Sequence, residues 1–186
     1  RALLLDKEDD AMAPLAELLL FEAARAQVMD EVIEPALARG QVVVCDRFTD
    51  STLAYQGYGR ELGAGLVRST NDLACGGRYP DRTLLLALDP DVARNRVEGR
   101  STDGTGDRME SAGEAFRARL RSGFEAIAAS EPGRVHVIDA DGSVDEVHGR
   151  ICSDLADLLD LNLRDQTKSP RRHVSCSVDS GVEERS

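Results

Sequence analysis

The residues best equipped for chemistry gather in one stretch, Asp46-Arg47-Phe48-Thr49-Asp50-Ser51-Thr52-Leu53-Ala54-Tyr55-Gln56-Gly57. A carboxylate next to a guanidinium can hold a cation through water and grip a phosphate with a planar fork. The hydroxyls of Ser51 and Thr52, the phenol of Tyr55 and the amide of Gln56 follow closely, as a polar and aromatic loop able to line a small-molecule pocket. An Asp that caps a turn, paired on the surface with its neighbouring Arg, explains the first two residues equally well; the company they keep favours a site. Upstream, Phe21 and Arg25 lie four residues apart and so share a helix face. A ring that stacks and a guanidinium that donates make a base-reading pair, although a core Phe beside a surface Arg has the same spacing. Downstream, Arg94, Arg96 and Arg100 run into Ser101-Thr102-Asp103-Gly104-Thr105-Gly106 and then Asp107-Arg108-Met109-Glu110. A flexible arginine-bearing segment suits a lid that closes on a phosphoryl group, or a solvated loop.

Regular elements must hold these residues. Val42 to Cys45, largely β-branched, reads as a strand buried on both faces, and ligands in an open parallel sheet bind beyond the carboxyl ends of strands. Leu15 to Gly40 reads as a helix with an apolar stripe of Leu15, Leu18, Leu19, Val28, Val32 and Ile33, kinked or restarted at Pro35 and capped by Gly40. Leu62 to Ala74 is a helix ended by Gly76-Gly77. Thr83 to Leu88 is a second buried strand, and Asp89-Pro90 opens a helix to about Arg100. Glu114 to about Ser130 is an amphipathic helix with Phe116, Leu120, Phe124 and Ile127 on its stripe. Arg134 to Ala140 is a third strand, and its His136 reads as structural or surface. Ser143-x-x-Glu146 is a capping box opening a last helix to about Leu161, with His148 on its surface. The alternation of strands and helices predicts a parallel α/β fold.

The 186 residues carry a net charge of −11, which argues against general binding to nucleic acid or to an anionic membrane surface. No apolar run is long enough to span a bilayer. Cys45, Cys75, Cys152 and Cys176 are scattered without C-x-x-C spacing, so neither zinc nor a disulfide framework is indicated, and a reducing cytoplasm is the simplest setting. Residues 162–186 turn polar and read as a disordered tail.

Asp-Arg-Phe-x-x-Ser-Thr-x-Ala-Tyr-Gln-Gly resembles the signature of bacterial thymidylate kinase, and Leu-Phe-x-Ala-Ala-Arg resembles that family's thymine-reading segment. The resemblance runs to about residue 159. It implies a P-loop NTPase-like parallel sheet with helices on both faces, a kinase domain over 1–161 with a lid at about 97–112, and transfer of a phosphoryl group from ATP to dTMP with Mg²⁺. In that reading Phe21 stacks on thymine and Arg25 bonds its carbonyl. Arg47 binds the dTMP phosphate, Ser51 and Thr52 contact phosphate and base edge, Tyr55 crowds the sugar 2′ position and Gln56 supports the base. Arg96 lies over adenine, Asp139 and Ala140 border ATP, Asp46 helps order Mg²⁺, and the catalytic lid arginine is Arg100 or Arg108. The family's habit also implies a homodimer.

The family's G-x-x-x-x-G-K-[ST] P-loop, which cradles ATP phosphates, does not occur among these residues. The resemblance therefore implies a sheet lacking its first strand, with exposed apolar faces, and little or no turnover by this polypeptide. A non-catalytic nucleotide-binding protein and a deoxynucleoside kinase are the alternatives.

Overall fold

The computed structural model describes residues 12–89, 92, 113–165 and 174–177. Apart from residue 92, the expected helix at 90–100, the lid, and with them Arg94, Arg96, Arg100 and Arg108, lie outside the described residues. The described parts fall into two compact units, the first within Arg1–Tyr79, Ala112–Phe124 and Arg171–Ser186, the second within Pro80–Ser111 and Glu125–Pro170.

In the first unit, helix α1 (Pro14–Val28) opens on a proline in its first turn, where a missing N–H costs nothing. It passes into a π turn (Met29–Ile33) and then α2 (Glu34–Ala38), which carries Pro35 in its first turn. The wider turn ahead of Pro35 accommodates a ring that cannot donate to the ladder, so the helical path continues through the proline. Gly40 ends the run with φ of 69°, as expected of a C-cap. The apolar stripe, however, is only partly inward. Leu18 and Ile33 are buried, but Leu15 and Leu19 are 46 % and 54 % exposed, and Glu17 and Glu22 are buried in their place. The bonds of Glu17 to Gln56 and Arg60 set the rotation of the helix.

Strand β1 (Val43–Asp46) is not buried on both faces. Val43 and Cys45 pack with Met29, Ile33 and Cys75, whereas the alternate residue Val44 is 61 % exposed. The stretch after it, read as a loop, is helical: α3 (Thr49–Thr52) runs into a π segment (Leu53–Gly59). The amide of Asn71 donates to the carbonyl of Thr49 at 3.2 Å, and the backbone of Gly59 approaches the Phe116 ring so closely that a Cβ would stand 2.7 Å from it. Helix α4 (Ala64–Cys75) starts after Gly63 because Glu61 and Gly63 both have positive φ, and it ends at left-handed Gly76 as expected. Helix α5 (Glu114–Ser130) belongs to this unit up to Phe124 and to the second from Glu125; of its predicted stripe, Phe116 and Ile127 are buried.

In the second unit, β2 (Thr83–Ala87) pairs in parallel with β3 (Val135–Asp139), from Thr83 opposite Val135 to Ala87 opposite Asp139. Val135 and Ile138 are buried, but Leu86 and Val137 are 52 % and 56 % exposed, so these strands too are covered unevenly. Helix α6 (Val144–Asp165) opens with the predicted capping box. The Ser143 backbone N–H donates to the Glu146 carboxylate at 2.7 Å and the Glu146 N–H to Ser143 Oγ at 3.3 Å. The Ser143 N–H and hydroxyl, both donating to the carboxylate, hold the Glu146 carboxyl below its usual range. Arg82 reaches Asp154 at 2.8 Å and Asp157 at 3.0 Å, and His136 Nδ1 lies 2.7 Å from Asp154. His136 is thus structural, with a partner that sequence proximity did not reveal; His148 is exposed.

Within the stretch read as a disordered tail, Val174–Ser177 forms β4, parallel to β1 in the first unit, with Val43 opposite Val174 and Asp46 opposite Ser177. An unpaired strand edge offers ladder hydrogen bonds to any extended segment, whatever its side-chain polarity.

Candidate nucleotide site

The site lies in the first unit, where α1 faces the helical segment that follows β1. Glu17, Phe21 and Arg25 recur every four residues along α1; Thr52, Gln56 and Arg60 recur likewise on the facing segment. This spacing puts each trio on one side of its helix. Glu17 receives the Gln56 amide N–H at 2.8 Å, Arg60 Nε at 3.2 Å and Arg60 Nη2 at 3.1 Å. Two stripes farther apart in sequence than any local motif are thereby fastened at one end. At the other end Arg25 Nη2 donates to Thr52 Oγ1, its Nε lies 3.3 Å from Glu22, and its guanidinium sits 4.9 Å from the Phe48 ring centroid. Phe21 stands half-buried between these ends.

Glu22 is 6 % exposed. Burial raises its carboxyl above the ordinary range, and Arg25 only partly offsets that. Cys75 is pushed up to about 11, chiefly by burial, and is an inert packing thiol.

At the mouth of β1, Asp46 is exposed and Arg47 adopts φ of 64°. That left-handed conformation is costly for a long side chain, and such outliers concentrate where function requires them. It directs the Arg47 guanidinium to 5.2 Å from the Tyr55 ring centroid. Tyr55 itself meets Phe116 and Phe124 edge-on, at 6.2 and 6.3 Å between centroids. Ser51 is half-buried beside buried Thr52. Arg119 donates to the carbonyl of Gly59 at 3.0 and 3.1 Å, closing the far end of the segment.

Phe21, Arg25, Arg47, Thr52, Tyr55 and Gln56 therefore lie on two adjoining helical segments and the strand end between them. Asp139 and Ala140 belong to the second unit. There the Asp139 carboxylate accepts the Asp141 N–H at 2.9 Å, its carbonyl accepts Arg150 at 2.9 Å, and the Ala140 N–H bonds the carbonyl of Ala87 at 2.7 Å. Sequence reasoning missed Glu17, Glu22, Phe48, Arg60 and Arg119. For Glu17 and Arg60 a signal existed: each extends a four-residue step already occupied by predicted site residues. A separate open groove of about 520 Å³, lined among others by Met29, Asp30, Cys75 and Arg78, contains none of the predicted residues.

Among the described residues no three His, Cys, Asp or Glu side chains gather to hold a metal unaided. Magnesium does not require such a cage, because it keeps most of its waters and uses one or two carboxylates with substrate phosphates. The exposed carboxylate of Asp46 fits that mode.

A family model described as thymidylate kinase matches residues 1–151. A thymidylate kinase of Synechococcus sp. (strain JA-3-3Ab) is 53 % identical over 146 residues, which cover 77 % of this chain and 68 % of that protein. One from Bifidobacterium longum subsp. infantis is 49 % identical over 154 residues, 83 % of this chain and 64 % of the relative. The crystal structure of thymidylate kinase from Ehrlichia chaffeensis superimposes with a TM-score of 0.61 at 34 % identity, covering 80 % of this chain and 68 % of that one. The chain thus spans about two thirds of the length of these relatives.

Proposed function

Because the chain belongs to the thymidylate kinase family, we propose that the cleft between α1 and the segment after β1 is its dTMP site. The observation carrying this reading is the meeting of Glu17 and Arg25, which flank Phe21 on one helix, with Gln56 and Thr52 on the other. Thymine stacks on Phe21, with Arg25 donating to its carbonyl and Gln56 supporting its other edge. Arg47 holds the phosphate, assisted by Ser51, and Tyr55 fills the space a 2′-hydroxyl would need.

The family's reaction moves the γ-phosphoryl group of ATP to dTMP, giving dTDP. The acceptor is already an anion, so the protein needs no general base. Its work is to align the two phosphates and to stabilise the charge spread over the transferred group. Asp46 would hold Mg²⁺ through water, and the ion would supply neutralisation of phosphate charge. Arg96, Asp139 and Ala140 are assigned to ATP, and Arg100 or Arg108 to the transferred phosphoryl group. Each of these roles rests on the family resemblance.

The exposed Leu15, Leu19 and Leu20 on α1 support a homodimer formed through helix faces. A cytoplasmic setting agrees with Cys75 and Cys152 standing outside disulfides. No described helix is long and apolar enough to cross a membrane.

A thermal-shift titration tests the site. dTMP should raise the melting temperature of the chain, by more the tighter it binds, and UMP should raise it much less because Tyr55 crowds the 2′ position. Equal shifts with dTMP and UMP would remove the pocket assignment.

A further inference from the structure

Phe21 lies between two fastenings of different chemistry. At the Arg25 end the available group only donates. At the Gln56 end an amide could present either its oxygen or its nitrogen. Glu17 decides which. A carboxylate only accepts, so the amide nitrogen must face Glu17, as it does at 2.8 Å. The reversed amide would set oxygen against oxygen in a place where Glu17 is 1 % and Gln56 2 % exposed. The bidentate fork of Arg60 fixes the Glu17 carboxylate in turn. The end of the amide turned away from Glu17 is therefore its carbonyl oxygen.

We infer that Glu17 is a positioning residue that sets base specificity by locking the polarity of the Gln56 amide. A base lying on Phe21 meets a donor at Arg25 and an acceptor at Gln56. Thymine matches with its 4-oxo group and its N3–H. Cytosine presents the opposite pattern at both atoms, a 4-amino donor and an unprotonated N3. A buried site built to bond one pattern rejects the other because its own polar groups would be left unpaired. Glu17 need not touch the nucleotide to exert this control. The inference rests on the dTMP reading above.

The test is a calorimetric titration of the full chain with dTMP, dCMP and N3-methyl-dTMP. Wild type should bind both analogues at least ~10-fold more weakly than dTMP. In Glu17→Gln the neighbouring amide can face either way, and the dTMP-to-dCMP affinity ratio should fall roughly 10-fold. The exchange variant, Glu17→Gln with Gln56→Glu, again offers the base only an acceptor and should restore the preference. A purely architectural Glu17 would weaken both nucleotides together, so an unchanged ratio in Glu17→Gln overturns the inference. Should that variant fail to fold, the exchange variant decides, since a lowered dTMP-to-dCMP ratio in the folded exchange variant overturns the inference, as does equal binding of dTMP and N3-methyl-dTMP by wild type. Absence of any dTMP binding by wild type would overturn the functional reading itself, and the inference with it.

Discussion

Two glutamates on α1 occupy similarly buried positions on either side of Phe21, yet their surroundings are opposite. Glu17, 1 % exposed, accepts from Gln56 and doubly from Arg60. Glu22, 6 % exposed, has neither oxygen hydrogen-bonded among the described residues, and its Arg25 neighbour approaches at 3.3 Å with an Nε that is likewise unbonded. A buried charge that is fully partnered fastens two segments, whereas one that is only loosely paired is carried at a cost. The cleft therefore has one rigid wall and one with unused hydrogen-bonding capacity. Arg25, the residue assigned to the thymine carbonyl, stands on the second.

The largest effect should come from the fastened end. Glu17→Ala leaves Gln56 and Arg60 without their acceptor, and should lower the unfolding free energy by about 3 kcal/mol in urea titrations. A loss below the noise of the titration would mean that the network does not hold the two segments together. At the loose end Arg25→Lys keeps a positive charge beside Glu22 but loses the planar fork. Here we expect about 10-fold weaker dTMP binding by calorimetry with little change in melting temperature. A large drop in melting temperature with unaltered dTMP affinity would reverse the contrast between the ends.

Smallest is the effect of Glu22→Gln, and its sign depends on pH. Burial raises the Glu22 carboxyl, so the folded protein holds this proton more tightly than the unfolded chain does. The destabilisation from Glu22 is complete above its raised folded value and vanishes below the ordinary carboxylate range. Glu22→Gln should therefore stabilise at neutral pH and do nothing in acid. The second unit behaves oppositely. Burial pushes Asp154 up, but bonds from His136 and Arg82 outweigh it and hold it low; the Arg82 bond likewise lowers Asp157. Their contribution is present at neutral pH and is lost as pH falls through their lowered values. Melting curves of wild type and Glu22→Gln across acid and neutral pH would show the two signs, and parallel curves would contradict the first.

Much of this was legible in the sequence because local rules govern it. Pro14, Gly40, Gly76 and the Ser143–Glu146 box act within a turn of their own positions, and they begin or end helices as their chemistry dictates. Phe21 and Arg25 stand out as candidates by spacing, and Thr52 and Gln56 by motif. Long-range compensation was not. An apolar stripe predicted Leu15 and Leu19 inside, but the pairing of Glu17 with residues 39 and 43 positions away turned the helix. The polar residues after β1 suit a loop, but packing against α4 and α5 makes the segment helical instead. Val44 illustrates a further limit, since a run of valines does not reveal whether both faces of a strand are covered. The pairing of Val174–Ser177 with β1 belongs to backbone geometry, which side-chain polarity does not report.

The most direct test of the central claim is to map dTMP binding by amide chemical shifts on isotopically labelled chain. The largest perturbations should fall on Phe21, Arg25, Arg47, Thr52 and Gln56, with the Gln56 side-chain amide among them. Perturbations confined instead to the groove at Met29, Cys75 and Arg78, or none at saturating dTMP, would contradict it.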